Sequence, residues 1–530
     1  RFPMPSNGVK RKEVLMKKWI ALAFVSAAAL CAALLPNVMG GRVQRALDDQ
    51  YRFLKDGSLL TVESRQYERG WFESTETLVV RLKPTLLNNA GQYVPDNLKT
   101  VLSEPVTVVN RIRHVGFEGG SLTAEVKSEF RYSPEVQKVL KRFFGDQAPV
   151  EMKNLIGFSG AGRLQVSVPA FDYEELSGIA LNWKGLSGLT EYAPGWSGFK
   201  NHYSAPMLHI RLADKGDVLL EGWKWESDTF EGGSNMELGR LSLKWRENID
   251  YNIKLNELVN LMTDLQIGAF INPTGTIAPS SVVVEKLSFA TKMGEAAQDA
   301  GGQGLIDSEG RFRFERLVYG EDGYGPLDID VAAEHLDAKS LLVLKRRVAE
   351  LAGKKMGEDE IREAVLKTVR NEASGLFTNN PLIKLRAFDF TTPTGKISLN
   401  GQVAFSNLTA ADLNDIAPMV KKMQADFYVN VPEKMLESLA VSQANGLFSV
   451  NPEDEAEGRA NIDDINETLR LMVQSTVNTM AEQGYVKLDN GIVSTRIEVA
   501  QGGLKLNGKV LEMDDDDDEV FYEEASAVAP

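Results

Sequence analysis

The chain has 530 residues, 25% charged and 43% hydrophobic, which is enough for two or three domains with a substantial core. Its 59 basic and 74 acidic side chains give a formal net charge of −15, so the chain as a whole has no electrostatic reason to bind nucleic acid. Cys31 is the only cysteine, which excludes an intramolecular disulfide and leaves the rest of the chain without a thiolate site.

The first predicted element is a transmembrane anchor within residues 16–41, and residues 1–15 before it are predicted to be an upstream extension. No charged side chain occurs from Trp19 to Gly41, and about 20 apolar residues suffice to cross a bilayer. Basic residues precede this run, which predicts that the body lies on the far side of the membrane. A cleaved signal peptide is the alternative interpretation. The predicted anchor residues are Lys17, Lys18, Trp19, Phe24, Leu30 and Leu35.

Residues 42–333 are predicted to form a β-rich region that begins with a helical stalk over residues 42–56. Gly70 and Trp71 then predict a turn followed by a large side chain that anchors the core. Apolar and polar residues alternate in the following segments, so each predicted strand has one apolar and one wet face, which favours antiparallel sheet. These segments are 77–82, 122–132, 164–168, 208–212, 241–245 and 327–331.

A short helix is predicted to begin at Pro134 with Ser133 as its N-cap, and the other helices belong to residues 334–513. Apolar residues at helical spacing predict helices at 338–374, 409–424 and 462–483, the first split by glycines, the second interrupted at Pro418 and the third ended by Gly484. A strand at 426–431 followed by a helix at 432–439 is predicted between the last two.

Two similar stretches in this region contain the sequence Leu-Asn-Gly, with Asn400 and Gly401 in the first and Asn507 and Gly508 in the second. The interpretation is a repeated hairpin in which each glycine occupies a bulge or a turn with positive φ. Residues 514–530 are predicted to be an acidic, solvated tail. The predicted fold class is therefore α+β and β-dominated: one N-terminal transmembrane helix followed by extended antiparallel sheet, partly covered by amphipathic helices.

The sequence contains no motif that predicts an enzyme, a metal site or a cofactor. His202 and His209 are an odd number of residues apart, so on one strand they would face opposite sides. Neither a Gly-x-Ser-x-Gly elbow nor a phosphate-binding loop occurs. Five tryptophans in the middle of the chain predict either ordinary core packing or an apolar groove. They are Trp183, Trp196, Trp223, Trp225 and Trp245.

The order of four features resembles that of the YdgA-like family of bacterial envelope proteins, which has no assigned activity. These are the anchor, the Arg-Gly-Trp-Phe segment around Gly70, the first Leu-Asn-Gly stretch and the glycine-rich segment from Gly484 to Gly508. The resemblance implies a Gram-negative inner-membrane protein with a periplasmic body and no catalytic residues. The Leu-Asn-Gly strands also resemble, more distantly, those of AsmA-type proteins, which implies bridge-like lipid carriage.

Two functions are expected from these features. The first is a non-catalytic binding module in envelope maintenance that holds lipid on an apolar sheet face. The alternative is a structural scaffold that self-associates or binds an envelope complex, for example by strand addition at a sheet edge. The shape of the apolar interior, sealed by helices or open, is the observation that bears most directly on this choice.

Overall fold

The computed structural model describes residues 34–55, 60–83, 102–118, 121–214, 216–230, 233–247, 281–296, 304–319, 322–352, 358–447 and 455–511. The chain divides into two compact units. The first unit contains residues 1–171, 185–203 and 228–231, and the second contains residues 172–184, 204–227 and 232–530.

Strands dominate both units. The strands are β1 (Leu60–Arg69), β2 (Glu73–Leu82), β3 (Val106–Glu118), β4 (Ser121–Arg131), β5 (Glu151–Gly157), β6 (Gly162–Val168), β7 (Phe171–Glu174), β8 (Ile179–Trp183), β9 (Leu186–Tyr192), β10 (Phe199–Leu212), β11 (Gly216–Phe230), β12 (Gly233–Glu247), β13 (Ser281–Glu295), β14 (Leu305–Phe314), β15 (Arg316–Tyr319), β16 (Asp322–Tyr324), β17 (Leu327–Asp337), β18 (Leu382–Thr392), β19 (Gly395–Phe405), β20 (Met423–Pro432), β21 (Lys487–Asp489), β22 (Ile492–Ala500), β23 (Gly503–Leu506) and β24 (Lys509–Val510).

The helices are α1 (34–55), α2 (Pro134–Phe144), α3 (Ala338–Ala352), α4 (Glu358–Asn371), α5 (Gly375–Thr378), α6 (Ile416–Lys422), α7 (Glu433–Leu447) and α8 (Glu455–Glu482). Among the residues described, no helix has both the length and the apolarity needed to cross a membrane. Of the predicted anchor residues, Lys17, Lys18, Trp19, Phe24 and Leu30 lie outside the described residues, as does the acidic tail.

In the first unit, α1 packs against a single antiparallel sheet of strand order β1–β2–β3–β4–β5–β6–β9. Met39, Val43 and Leu47 recur at helical spacing, so they share one face of α1, and each is at most 3% exposed. They pack on Ile112 of β3 and Ile156 of β5, among other residues. The helix predicted over residues 42–56 is confirmed, but it does not stand apart as a stalk, because it packs on the sheet as a core element of the first unit.

In the second unit, ten of the described strands form an antiparallel sheet of order β12–β13–β14–β17–β18–β19–β20–β22–β23–β24. Every segment that was predicted as a strand from alternation lies in a strand. The prediction of a β-dominated, antiparallel fold with several helices is confirmed. The reason is that a period of two is enforced by half-burial of each strand, whatever its partner.

Most predicted helices are confirmed, with one correction. Ser133 caps α2 by accepting a hydrogen bond from the backbone N–H of Val136 at 3.3 Å. Gly484, at φ 74°, follows the end of α8. Pro418 does not interrupt a longer helix, because α6 begins at Ile416 and Pro418 lies in its first turn, where a backbone N–H has no helical partner.

The two Leu-Asn-Gly stretches differ in structure, so the prediction of two equivalent hairpins is only half right. Asn507 and Gly508 have φ values of 49° and 81° and form the two-residue turn between β23 and β24. Asn400 and Gly401 instead lie inside β19, opposite Tyr428 and Phe427 of β20. The bulge beside them belongs to the partner strand, β18.

Candidate functional site

One face of the second-unit sheet carries ion pairs between neighbouring strands. Arg311 of β14 contacts Asp328 of β17 at 2.6 Å, and Arg496 of β22 contacts Asp426 of β20 at 2.8 Å. The hydrogen bonds from Arg496 hold the pKa of Asp426 below its ordinary value. This face therefore presents paired positive and negative side chains to water.

The opposite face is apolar. Residues paired directly across antiparallel strands share a face, so the register identifies the members of each row. One row crosses seven strands from β12 to β20 and consists of Leu238, Phe289, Phe312, Ile329, Phe388, Leu399 and Val429. Two further rows on this face include Val331, Leu385, Phe427 and Ile497, and Met293, Ala333, Ile383, Val403, Ala425 and Val499.

Helices seal one end of this apolar face. Met435 of α7 is 3% exposed and packs with Phe314, Phe390 and Ile397, which lie one row beyond Phe312 and Phe388. Val477 of α8 is likewise buried, in a cluster with residues at the start of β22. These helices satisfy the ordinary requirement that an apolar sheet face be covered.

On β13, β17 and β18, exposure is higher in the rows that follow the sealed one, whereas Ala425 of β20 and Phe405 of β19, on the same face, are each 9% exposed. On β18, Phe390 is 5% exposed, whereas Ile383 is 42% exposed; Val331 on β17 reaches 41%. Phe289 and Met293 on β13 are 37% and 39% exposed. We call these four residues, Phe289, Met293, Val331 and Ile383, the open apolar face. Beyond these residues, the ring of Phe405 in β19 lies 5.8 Å from that of Phe377 in α5, so a helix also contacts the other end of this face.

The five predicted tryptophans are divided between the two units. Trp196 belongs to the first unit, where its ring stacks on Tyr192 at 4.3 Å and on Phe53 at 4.9 Å. For Trp196, this stacking agrees with the alternative of ordinary core packing. Tyr192 is buried in the same cluster, and burial raises its pKa to about 12. Trp183 and the pair Trp223 and Trp225 are half-buried residues of β8 and β11 in the second unit, and the side chain of Trp245 lies outside the description.

The prediction that Trp71 anchors the core is wrong. Trp71 is 49% exposed and Phe72 is 63% exposed, in the turn that joins β1 to β2. The turn is fixed through its backbone instead: the Trp71 carbonyl lies 2.9 Å from Nδ1 of His114, and the Phe72 carbonyl accepts a bond from the His114 N–H, also at 2.9 Å. The two aromatic rings are thereby left at the surface.

His114 also lies 2.8 Å, through Nε2, from the hydroxyl oxygen of Ser74, a pair that resembles a nucleophile and its base. The two side chains are 0% and 4% exposed, so no substrate can reach the hydroxyl. We therefore regard the pair as a structural lock on the β1–β2 turn. The sequence contains no signal for it, because the two residues are 40 positions apart on different strands.

A surface cleft of about 760 Å³ in the second unit is lined by β7, β8 and β10 and is rich in charged side chains. Its polar side chains contact one another or close neighbours: Arg211 forms an ion pair with Glu174 at 3.0 Å, and Nε2 of His209 lies 3.3 Å from a carboxylate oxygen of Asp217. Within the described ranges, no group of three or more His, Cys, Asp or Glu residues is placed to hold a metal ion. The open apolar face is thus the stronger candidate for a binding site.

Comparison with known proteins yields one match. A family model described as "Bacterial protein of unknown function (DUF945)" matches residues 16–513. No curated protein and no solved structure matches the chain.

Proposed function

Since the chain belongs to the DUF945 family of bacterial proteins of unknown function, we propose a function from its own residues: a non-catalytic, membrane-tethered protein that holds lipid acyl chains on the open apolar face. The observation that carries this proposal is an exposed patch within a continuous apolar surface: along β18, the exposed fraction rises from 5% at Phe390 to 42% at Ile383.

An acyl chain suits this surface in both chemistry and size. Each methylene removed from water contributes about 0.8 kcal/mol, so a lipid tail gains from any contiguous apolar surface it covers. β13 and β18 are separated by β14 and β17, so three strand spacings, about 14 Å, divide Met293 from Ile383. The charged side chains lie on the other face and offer nothing to a lipid tail.

The proposed placement is the bacterial inner membrane, with the body in the periplasm, as the resemblance to YdgA-like envelope proteins implies. The support is the uncharged run that begins at Trp19 and is preceded by Lys17 and Lys18. The last residues of that run, from 34 to 41, belong to α1, where Met39 is buried against the sheet, so the proposed tether precedes them. Lipid carriage would agree with the more distant resemblance to AsmA-type proteins.

Photo-cross-linking in intact cells tests the lipid site. We expect the photoreactive amino acid p-benzoylphenylalanine at position 383 or 289 to capture phospholipid, detected by mass spectrometry of the purified protein. The matched control is position 428, because Tyr428 is 47% exposed and lies on the charged face of the same sheet, against Arg496. Lipid adducts at 383 and 289 with none at 428 agree with the proposal.

Equal labelling at all three positions, or no lipid adduct at 383 and 289, would contradict it. Adducts to a second protein at 383 would favour the scaffold alternative. A companion variant, Val331→Thr with Ile383→Thr, is assayed with the photoreactive residue at position 289. It keeps β-branched side chains in both strands and should fold while losing most of the lipid captured at 289.

The placement is tested separately with alkaline phosphatase fused after Pro530. Positive charge before the apolar run should retain the amino terminus in the cytoplasm, so we expect an active, exported reporter. An inactive phosphatase fusion, together with a fluorescent-protein fusion at the same position that fluoresces, would indicate a cytoplasmic body and overturn the placement.

A further inference from the structure

The turn between β1 and β2 and the turn between β5 and β6 lie at the same end of the first-unit sheet. The register shows this. Glu73, at the start of β2, lies opposite Arg113 of β3, which lies opposite Glu125 of β4. Thr123, two residues before Glu125 in β4, lies opposite Gly157, the last residue of β5. Trp71 and Phe72 occupy the first turn, and Phe158 occupies the second.

The amino-terminal part of α1 contacts this same end of the sheet. The Arg69 guanidinium donates to the Asn37 carbonyl and side-chain oxygens, both at 2.9 Å. Arg42 lies over the Phe158 ring at 5.1 Å. Further along the helix, Asp48 contacts Arg65, which lies four residues inside β1. Helix α1 therefore runs from the turn end toward the middle of the strands, and Leu34, its first described residue, lies at the turn end.

Large apolar side chains are exposed around this position. Trp71, Phe72 and Phe158, which we call the aromatic rim, are 49%, 63% and 45% exposed. Leu34 and Val38, on the adjoining turns of α1, are 47% and 49% exposed. The uncharged sequence that begins at Trp19 continues directly into these turns of α1.

We propose that the aromatic rim contacts the interfacial layer of the bilayer, so that the first unit lies directly on the membrane. This inference rests on the tether of the proposed function. Aromatic rings concentrate at the level of lipid headgroups, where an apolar ring and a polar surrounding are both accommodated. Arg42 and Arg69 lie beside the rim and offer guanidinium groups of the kind that bind phosphate.

The rim is held in position by buried contacts. A Cβ atom on Gly40 would lie 2.6 Å from the His114 ring, so α1 packs directly against the residue that fixes the Trp71 turn. The Gly70 N–H donates to the Ser74 hydroxyl at 3.3 Å. The Ser74–His114 lock thus couples the orientation of α1 to that of the rim, and membrane contact at the rim would set the orientation of the whole first unit.

Site-directed spin labelling of the full chain in phospholipid vesicles tests this inference. In a Cys31→Ser background, single cysteines replace Trp71, Phe158 or Leu102, and collisions with lipid-soluble oxygen are compared with collisions with a water-soluble nickel complex. Leu102 is the matched control, because it is 38% exposed and precedes β3 at the opposite end of the strands. We expect labels at 71 and 158 to be shielded from nickel several-fold more than the label at 102.

The natural cysteine, labelled in the otherwise unchanged chain, separates the two proposals. A label on Cys31 that is shielded from nickel while labels at 71 and 158 are as accessible as the one at 102 would overturn the rim contact and leave the tether standing. A label on Cys31 that is fully accessible to nickel would overturn the tether, and the rim contact with it.

Discussion

Replacing Glu76 by alanine is expected to destabilise the first unit by about 3 kcal/mol or more, because it removes one partner of a buried ion pair. Glu76 is 2% exposed, and both of its carboxylate oxygens are engaged: Arg65 donates to one at 2.7 Å and Asn110 to the other at 2.8 Å. The variant leaves these two donors without their shared acceptor in a site with little access to water.

The charge on Arg65 makes the loss of Glu76 strongly destabilising. Burial of the guanidinium opposes its charged form, but its bonds to Glu76 and Asp48 outweigh that effect, so the pKa of Arg65 is raised above its ordinary value. In the variant the contribution of Glu76 is lost, but a guanidinium stays protonated in proteins, so Arg65 cannot relieve the damage by releasing its proton. Asp48, on α1, is the only one of the two carboxylates that remains, and its side chain is 40% exposed.

Hydrogen exchange of the backbone amides in β2 and β3 measures the effect within the first unit, since a single unfolding transition cannot be assumed for a chain of two units. The control is Glu63→Ala, which removes a partner of Arg81 from a pair whose side chains are both 39% exposed. A surface pair contributes about 0–1 kcal/mol. Equal loss of protection in the two variants would show that burial does not decide the outcome.

A second variant separates lost charge pairing from lost packing. Arg65→Met combined with Glu76→Leu removes both charges and keeps the volume, and such replacements are often neutral or stabilising. We expect the double variant to recover most of the protection that Glu76→Ala loses. Failure to recover it would assign the loss to the Asn110 and Ser128 side chains, which continue the same chain of hydrogen bonds.

Strand positions could be predicted from the sequence because half-burial imposes a local period of two, as in Leu164, Val166 and Val168 of β6. The surroundings of single residues could not. Trp71 is large and apolar, which favours a core position, but its place in a turn bonded through backbone carbonyls leaves it 49% exposed. Likewise, the apolar face of residues 42–56 indicates a helix but not the sheet on which it packs.

The open apolar face was beyond sequence reasoning for a related reason. Phe312 and Phe388 lie in one row because β14 pairs with β17 and β17 with β18, and the first of those pairings skips two short strands. Alternation shows that each strand has an apolar face, but only the complete register shows that these faces are continuous. The position of α7 then decides which part is sealed, through the tertiary contact of Met435.

The two Leu-Asn-Gly stretches give the second large prediction: Gly401→Ala should cost about 3 kcal/mol or more, whereas Gly508→Ala should cost about 1–2 kcal/mol. A Cβ atom on Gly401 would lie 2.3 Å from the Asp426 carbonyl oxygen and 2.7 Å from the Phe427 Cα, so β19 and β20 would have to separate. A Cβ atom on Gly508 would meet nothing within 4 Å, and only its φ of 81° is unfavourable.

Asparagine at the same positions distinguishes the two mechanisms, because asparagine tolerates positive φ but is larger than alanine. Gly508→Asn should recover stability relative to Gly508→Ala, while Gly401→Asn should be at least as damaging as Gly401→Ala, as measured by exchange of the β20 and β22 amides. The opposite order at position 401 would mean that its φ, not the close approach of β20, requires glycine.

Since Phe427 lies in the apolar rows beside Val331 and Leu385, displacement of β20 should also reduce lipid capture at position 383. Gly508→Ala, which acts at a turn on the far edge of the sheet, should leave that capture unchanged.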